Sequence, residues 1–323
     1  MYYIERIPLT SASFLAGSVA EPAAGETEWA SGGTYAVGDE RIRSGLHRVY
    51  RCAAPRSPST TPPSSTPPED DPTGWKDMRP TRRWLPYGPM LRPDGKLVYQ
   101  SIALESTTEN LEFRLAARYA NALALFGLRG AVWRAQVYPT VGAVDFVDER
   151  TGTIKAPATG YHDYAFGQRH PRDRVLITGL PIYPNAEIRI TIEGSGDQLR
   201  RVSQIELGKL RYIPGVDWGG VAAGLRRSPK AWTASQDEPD GSTSVLIYGT
   251  GYDMSGTVHL TGKQEDNALT QLRNLIGRGA AYAPTLVSGF NQSLVYATLK
   301  SADVNRDSAN HTTANFQLEG LPT

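Results

Sequence analysis

The five histidines, His47, His162, His170, His259 and His311, fall singly along the 323-residue chain. No His-Glu-x-x-His run places two imidazoles on one helix face for zinc, and no Gly-x-Ser-x-Gly turn exposes a nucleophilic serine. Glu69-Asp70-Asp71 groups three carboxylates. Paired-acid chemistry needs two acids at fixed separation on rigid elements, whereas these three sit in the Pro/Ser-rich stretch 55–72, which reads as an exposed, solvated loop without apolar anchors. Asp303-Val-Asn305-Arg-Asp307 carries the first three oxygen positions of a calcium loop. Its sixth position is Ser308 rather than Gly and its twelfth is Ala314 rather than Glu, so an Asx-type turn is the better expectation. Gly127-Leu-Arg-Gly130 and Gly194-Ser-Gly196 lack the spacing of a phosphate cradle and read as hairpin turns. Cys52, the single cysteine, excludes an internal disulfide and a multi-cysteine metal site, and reads as a small buried hydrophobe. The expectation is a protein without enzymatic activity, catalytic residue, cofactor or metal.

Aromatic residues form the one constellation with a binding alternative. Trp29, Gly33-Thr-Tyr35-Ala-Val-Gly-Asp39, His47-Arg-Val-Tyr50-Arg-Cys52 and Trp75-Lys-Asp77 follow one another within about 50 residues. This pattern resembles the small chitin-binding module of bacterial chitinases. The resemblance implies Trp29, Tyr35, Tyr50 and Trp75 as candidate glycan-binding residues, because flat rings stack on the apolar faces of pyranoses. The exposed aromatic pair that the family places after the Tyr-containing strand is replaced by Ala53-Ala54-Pro55. That replacement favours a core role for the four rings over a sugar platform.

Composition sets the frame that must position these groups. Lys and Arg number 34 against 33 Asp and Glu, a net charge of +1, so no single-sign field draws the chain to nucleic acid. Seven of the basic residues are Lys and 27 are Arg, a balance suited to fixed, bidentate contacts at interfaces. Arg82, Arg83, Arg114 and Arg118 mark candidate subunit-contact surfaces. With 32 Gly, 23 Pro and 16 Tyr, strands and turns should outnumber helices. No apolar run approaches the ~20 residues of a membrane helix, so no membrane insertion is expected. The Ser-interrupted stretch after Met1 is a poor leader, and the chain reads as mature from Met1.

The organisation expected is an N-terminal segment 1–27, an aromatic module 28–80 with a Pro/Ser-rich insert, an antiparallel β-sandwich 83–213 and an α+β domain 214–323: a mainly β protein whose C-terminal part is an α+β layer. Leu111 to Tyr119 alternates Leu111, Phe113, Leu115, Ala117 and Tyr119 on one face, and 186–192 does so with Ile188, Ile190 and Ile192. Further strands are expected at 97–99, 131–133, 143–147, 174–178, 205–208, 244–248, 256–260, 293–299 and 314–318. A helix over 264–277 places Ala268, Leu269, Leu272, Leu275 and Ile276 on one stripe and stops at Gly277.

The aromatic module, followed by Pro80-Thr-Arg-Arg-Trp84, Asn121-Ala-Leu-Ala-Leu-Phe-Gly-Leu128, Pro184-Asn-Ala-Glu-Ile-Arg-Ile-Thr191 and Asn315-Phe-Gln-Leu-Glu-Gly-Leu321, resembles a family of tail-tip or baseplate proteins of long-tailed bacteriophages. The resemblance spans nearly the full chain. It implies a virion tail component assembled in the host cytoplasm, with other tail-tip proteins as partners, a homo-oligomer around the tail axis and contact with a host-surface glycan. A secreted or surface glycan-binding protein of a bacterium is the alternative reading.

Overall fold

The structure, a computed structural model, describes residues 1–92, 96–99, 102–155, 172–213, 221, 224–237, 243–261, 264–286, 293–306 and 312–323. The chain divides into two compact units, Ala16–Gln100 and a larger one that joins Met1–Leu15 to Ser101–Thr323. It is mainly β and antiparallel, with one α-helix among the described residues.

Strand β1 (Tyr2–Arg6) opens the larger unit, and the smaller unit follows as an insertion. Its sheet is a meander of β2 (Glu40–Arg43), β3 (Arg48–Cys52) and β4 (Trp75–Pro80), with a register shift at Val49/Tyr50. A two-residue pair, β5 (Met90–Leu91) with β6 (Leu97–Val98), lies in the same unit, so the strand expected at 97–99 belongs here and not to the sandwich. The Pro/Ser-rich stretch differs from the free loop expected. Ser64 and Pro68 are buried, Ser64 N–H donates to Ser57 O at 3.0 Å, Gly32 N–H donates to Ser64 O at 3.3 Å, and Pro68–Asp70 form a 3-10 turn. Fixed proline φ angles and hydroxyl-to-backbone bonds order a segment that has almost no large apolar side chain.

In the larger unit β7 (Leu104–Ser106) pairs with β14 (Arg200–Val202), and a four-stranded sheet runs β11 (Asp148–Thr153), β10 (Val132–Tyr138), β13 (Glu187–Glu193), β8 (Leu111–Ala116). Its buried face carries Phe113, Leu115, Ala135, Val137, Ile188, Ile190 and Ile192, as the period-2 pattern requires. The opposite face is laced with ion pairs, Arg134 to Glu149 at 3.1 Å and Arg114 to Glu187 at 2.8 Å among them. The alternation ends at Ala116: Tyr119 has φ +58° and is 50% exposed, not part of the apolar face. Residues 143–147 form no strand but an exposed connection, in which Val144 is 91% exposed.

A nine-stranded sheet takes β12 (Arg174–Thr178), β9 (Ala122–Phe126), β15 (Gln204–Tyr212), β1, β18 (Gly279–Ala283), β19 (Val295–Arg306), β20 (Thr312–Gly320), β17 (Thr243–Leu260) and β16 (Arg226–Asp237) in that order. It therefore crosses the boundary expected near 213. The reason is β1, which pairs with β15 on one side and β18 on the other and welds the two halves into one sheet. Gly127–Gly130 is not a hairpin turn: it carries the chain from β9 in this sheet to β10 in the four-stranded one, with φ +63° and +145° at the two glycines. Gly194–Gly196 likewise links β13 to β14, which do not pair with each other. Helix α1 (Glu265–Leu275) buries Ala268, Leu272 and Leu275 in a core with Tyr3, Tyr282, Val258, Leu299 and Phe316. Each buried leucine contributes about 1.5 to 3 kcal/mol relative to exposure. Leu269 and Ile276 point outward instead, 43% and 52% exposed. The stretch Asp303 to Arg306 lies in β19, where Asp303 pairs with Asn315, so it is neither a calcium loop nor an Asx turn; Asp307 lies outside the described residues.

Candidate functional site

Trp29, Tyr35, Tyr50 and Trp75 do come together, with Cys52, in one cluster of the smaller unit. They converge because Tyr50 and Cys52 project from the same side of β3, and β4 brings Trp75 opposite Cys52. The Tyr35 and Trp75 rings meet edge to face at 5.0 Å and 70°. The Tyr35 hydroxyl donates to Ala30 O at 2.5 Å and accepts from Ala30 N–H at 3.0 Å, and a side chain at Gly33 would collide with that ring. Burial pushes the Tyr50 hydroxyl up to about 12, with Asp77 and Glu69 nearby adding to it.

Relative exposures of 9% for Trp29, 4% for Tyr35, 2% for Tyr50 and 3% for Trp75 decide what this cluster can do. No ring offers a face to a pyranose. The outward side of the cluster is also covered, since the Arg43 guanidinium lies 4.9 Å from the Trp29 ring centre and that of Arg41 lies 5.3 Å from Tyr35. The Cys52 thiol donates to Ala54 O at 3.0 Å, and burial pushes its pKa up, which disfavours the reactive thiolate. Four residues with a sugar-binding pattern thus form a core.

Charged pairs clamp that core. Arg56 and Asp71, 6% and 2% exposed, form a two-pronged pair, and Asp71 also accepts from the Thr73 hydroxyl and the Gly74 N–H. Arg48 pairs with Asp77, which also accepts from Arg92 at 3.1 Å. His47 lies 3.0 Å from Glu21 and stacks on Trp84 with ring centres 4.4 Å apart. Asp71, expected in a solvated loop, is instead held as a buried anion. His162, His170 and His311 lie outside the described residues.

The arginines singled out as contact surfaces behave differently from one another. Arg114 is committed to Glu187, Arg83 donates to Val19 O at 2.7 Å, and Arg82 donates through its backbone N–H to Glu26 at 2.8 Å. Arg118 lines a surface cleft with Tyr119, Lys209 and Arg211.

One exposed apolar surface among the described residues was not marked by the sequence pattern. Strand β16 pairs over its full length with Thr243–Ser255 of β17, and β17 pairs with β20 only from Met254 to Leu260. Residues 231–237 and 243–250 therefore extend past β20 as a two-stranded ribbon. Val245, Leu246 and Ile247 are 60%, 58% and 61% exposed, and residues 243–252 carry no charge. At the ribbon's base Lys230 donates to Glu319 at 2.6 Å and lies 5.1 Å from the Trp232 ring centre. These three consecutive aliphatics put exposed apolar side chains on both faces of a two-stranded ribbon, an element that is marginal in water by itself.

Compared with known proteins, the chain matches no protein-family model and no curated protein. No described helix is long and apolar enough to cross a membrane.

Proposed function

We propose that this chain is a structural component of a bacteriophage tail tip or baseplate, built into the virion tail in the host cytoplasm through contacts with further copies of itself and with other tail-tip proteins. The observation that carries the reading is the β16–β17 ribbon with its exposed Val245, Leu246 and Ile247. A projecting ribbon with three adjacent exposed aliphatics suits permanent assembly, where a neighbour covers it, and is a liability in a protein that stays alone. The closed aromatic core of the smaller unit supports a scaffolding role for that module, since it stabilises a fold and presents no ring to a glycan. Any host-surface contact would use other residues.

Two measurements test the proposal. Native mass spectrometry of the purified chain should show oligomers, and Val245→Thr/Leu246→Ser/Ile247→Thr should shift them to monomer while leaving the circular dichroism spectrum unchanged. Antibodies against the chain should label the distal end of the tail in phage particles from a strain that encodes it. Unlabelled particles would defeat the virion assignment, and a monomeric wild type at tens of micromolar would defeat self-assembly.

A further inference from the structure

Four arginines far apart in sequence line one cleft of about 410 Å³ in the larger unit: Arg129 after β9, Arg174 at the start of β12, Arg201 in β14 and Arg227 in β16. Arg129 and Arg201 are bridge partners, exchanging N–H to O bonds of 3.0 and 2.9 Å, so their side chains leave the backbone on the same side. Arg174 is 8% exposed and anchored, with one guanidinium nitrogen donating to Leu294 O at 3.1 Å. Its guanidinium lies 4.4 Å from the ring centre of Tyr252, and that of Arg227 lies 4.8 Å from the same ring. One tyrosine thus holds two like charges near each other.

The balancing carboxylates are at the rim. Asp173 lies 3.5 Å from Arg174 and Glu105 lies 3.5 Å from Arg201, with side chains 52% and 47% exposed. Four guanidinium groups against these two solvated carboxylates leave the cleft cationic, even with the α-carboxylate of Thr323, which also lines it, counted as a third. Burial, and then the charge of Arg174, push the pKa of Arg227 below its ordinary value, with Tyr252 and Asp173 opposing the shift.

We infer that this cleft binds a ligand carrying a phosphate or pyrophosphate group. Guanidinium forks match pairs of phosphate oxygens bidentately, and a group with more than one negative charge offsets what a single carboxylate would leave unpaired. The cleft's volume, at the lower end of small-molecule sites, has room for a sugar attached to that group. The phosphate is the shared chemistry; a free diphosphate and a phosphorylated sugar are its two sources.

Calorimetric titration of the full chain at low salt decides it, with inorganic pyrophosphate in one arm and glucose 6-phosphate in the other. Saturable binding is expected in at least one arm. It should weaken at least tenfold in Arg129→Gln and in Arg227→Gln, and stay unchanged in Arg273→Gln, a cation on the outer face of α1. Arg129 is exposed, so its replacement should leave the fold intact and decides the matter if Arg227→Gln fails to fold. Tighter binding of glucose 6-phosphate identifies a glycan-borne source, and tighter binding of pyrophosphate a free one. No heat of binding up to about 10 mM in either arm, or equal binding by wild type and Arg129→Gln, overturns the proposal.

Discussion

Arg56 Nε donates to Asp71 Oδ2 at 2.5 Å while a second guanidinium nitrogen reaches Asp71 Oδ1 at 3.0 Å, and both side chains are withdrawn from water. The pair joins the two ends of the Pro/Ser-rich stretch, so the prolines between them begin and end at a fixed point. Because Gly74 N–H and the Thr73 hydroxyl complete the carboxylate's shell, little of its hydrogen-bonding capacity is left unmet. Replacing Arg56 by Ala would strand a buried anion, at a cost of about 3 to 5 kcal/mol. Chemical denaturation of the wild type and the Arg56→Ala variant measures it; a loss below about 1 kcal/mol would show that the pair is solvated.

The same pair sets an acid limit. Hydrogen bonding from Arg56 holds the Asp71 carboxyl below its ordinary value of 3.8. A carboxyl depressed on folding binds a proton more readily in the unfolded chain, so its stabilisation is complete above that ordinary value and is lost as pH falls through the lower folded value. In the pH dependence of unfolding, Asp71→Asn should remove part of the stability at neutral pH and flatten the decline in strong acid.

Deleting residues 58–63 should cost several degrees in melting temperature. This stretch carries the chain from Ser57, whose carbonyl accepts from Ser64 N–H and from the Thr60 hydroxyl, to the buried Ser64. Its own contacts are polar and local, and composition alone gave no reason to expect them. A variant that melts with the wild type in differential scanning calorimetry would show that the segment contributes nothing to the module.

What the sequence discloses here depends on how local the cause is. The strands at 111–116 and 187–193 and the helix over 265–275 were legible because each is dictated by its own periodicity. Asp303 and Asn305 were misleading for a related reason: oxygen ligands at every second position also describe one face of a strand, and pairing with β20 settled which. Val144 and Phe146 mimic strand alternation, but they lie between the paired strands β10 and β11, where the chain must turn. The halves of β17 read as two strands because Gly249 and Gly251 interrupt the apolar pattern, although the backbone runs on through both. Least legible were the ribbon and the arginine cleft. Each depends on where distant strands start and stop, and the cleft takes residues from six segments of chain.

Trp75→Ala should remove about 3 to 5 kcal/mol and unfold the smaller unit, because the indole is 3% exposed and packs on Tyr35. The wild type should not be retained on insoluble chitin. A folded Trp75→Ala variant that loses a chitin binding possessed by the wild type would restore the glycan site, and a pull-down followed by proteolysis of the bound and free fractions distinguishes the outcomes.

Glu206 gives the opposite pH signature to Asp71. It sits in β15 with no exposure, accepting from Gln204 Nε2 at 2.6 Å, and its nearest cation, Arg6, is 3.8 Å away. Burial, opposed by Arg6, Gln204 and Tyr296, raises its pKa above the ordinary 4.5. The folded chain therefore keeps a proton that the unfolded chain has released, so this residue's contribution is full below pH 4.5 and declines as pH rises through the folded value. Glu206→Gln keeps the shape and the acceptor oxygen while removing the charge. The variant should be more stable than the wild type at pH 8 by about 1 kcal/mol or more, the lower end of the cost of an imperfectly satisfied buried polar group. The gain should vanish at pH 4. Denaturant unfolding at the two pH values tests both halves of the argument, and a variant that is less stable at pH 8 would show that the pair with Arg6 outweighs the burial of the charge.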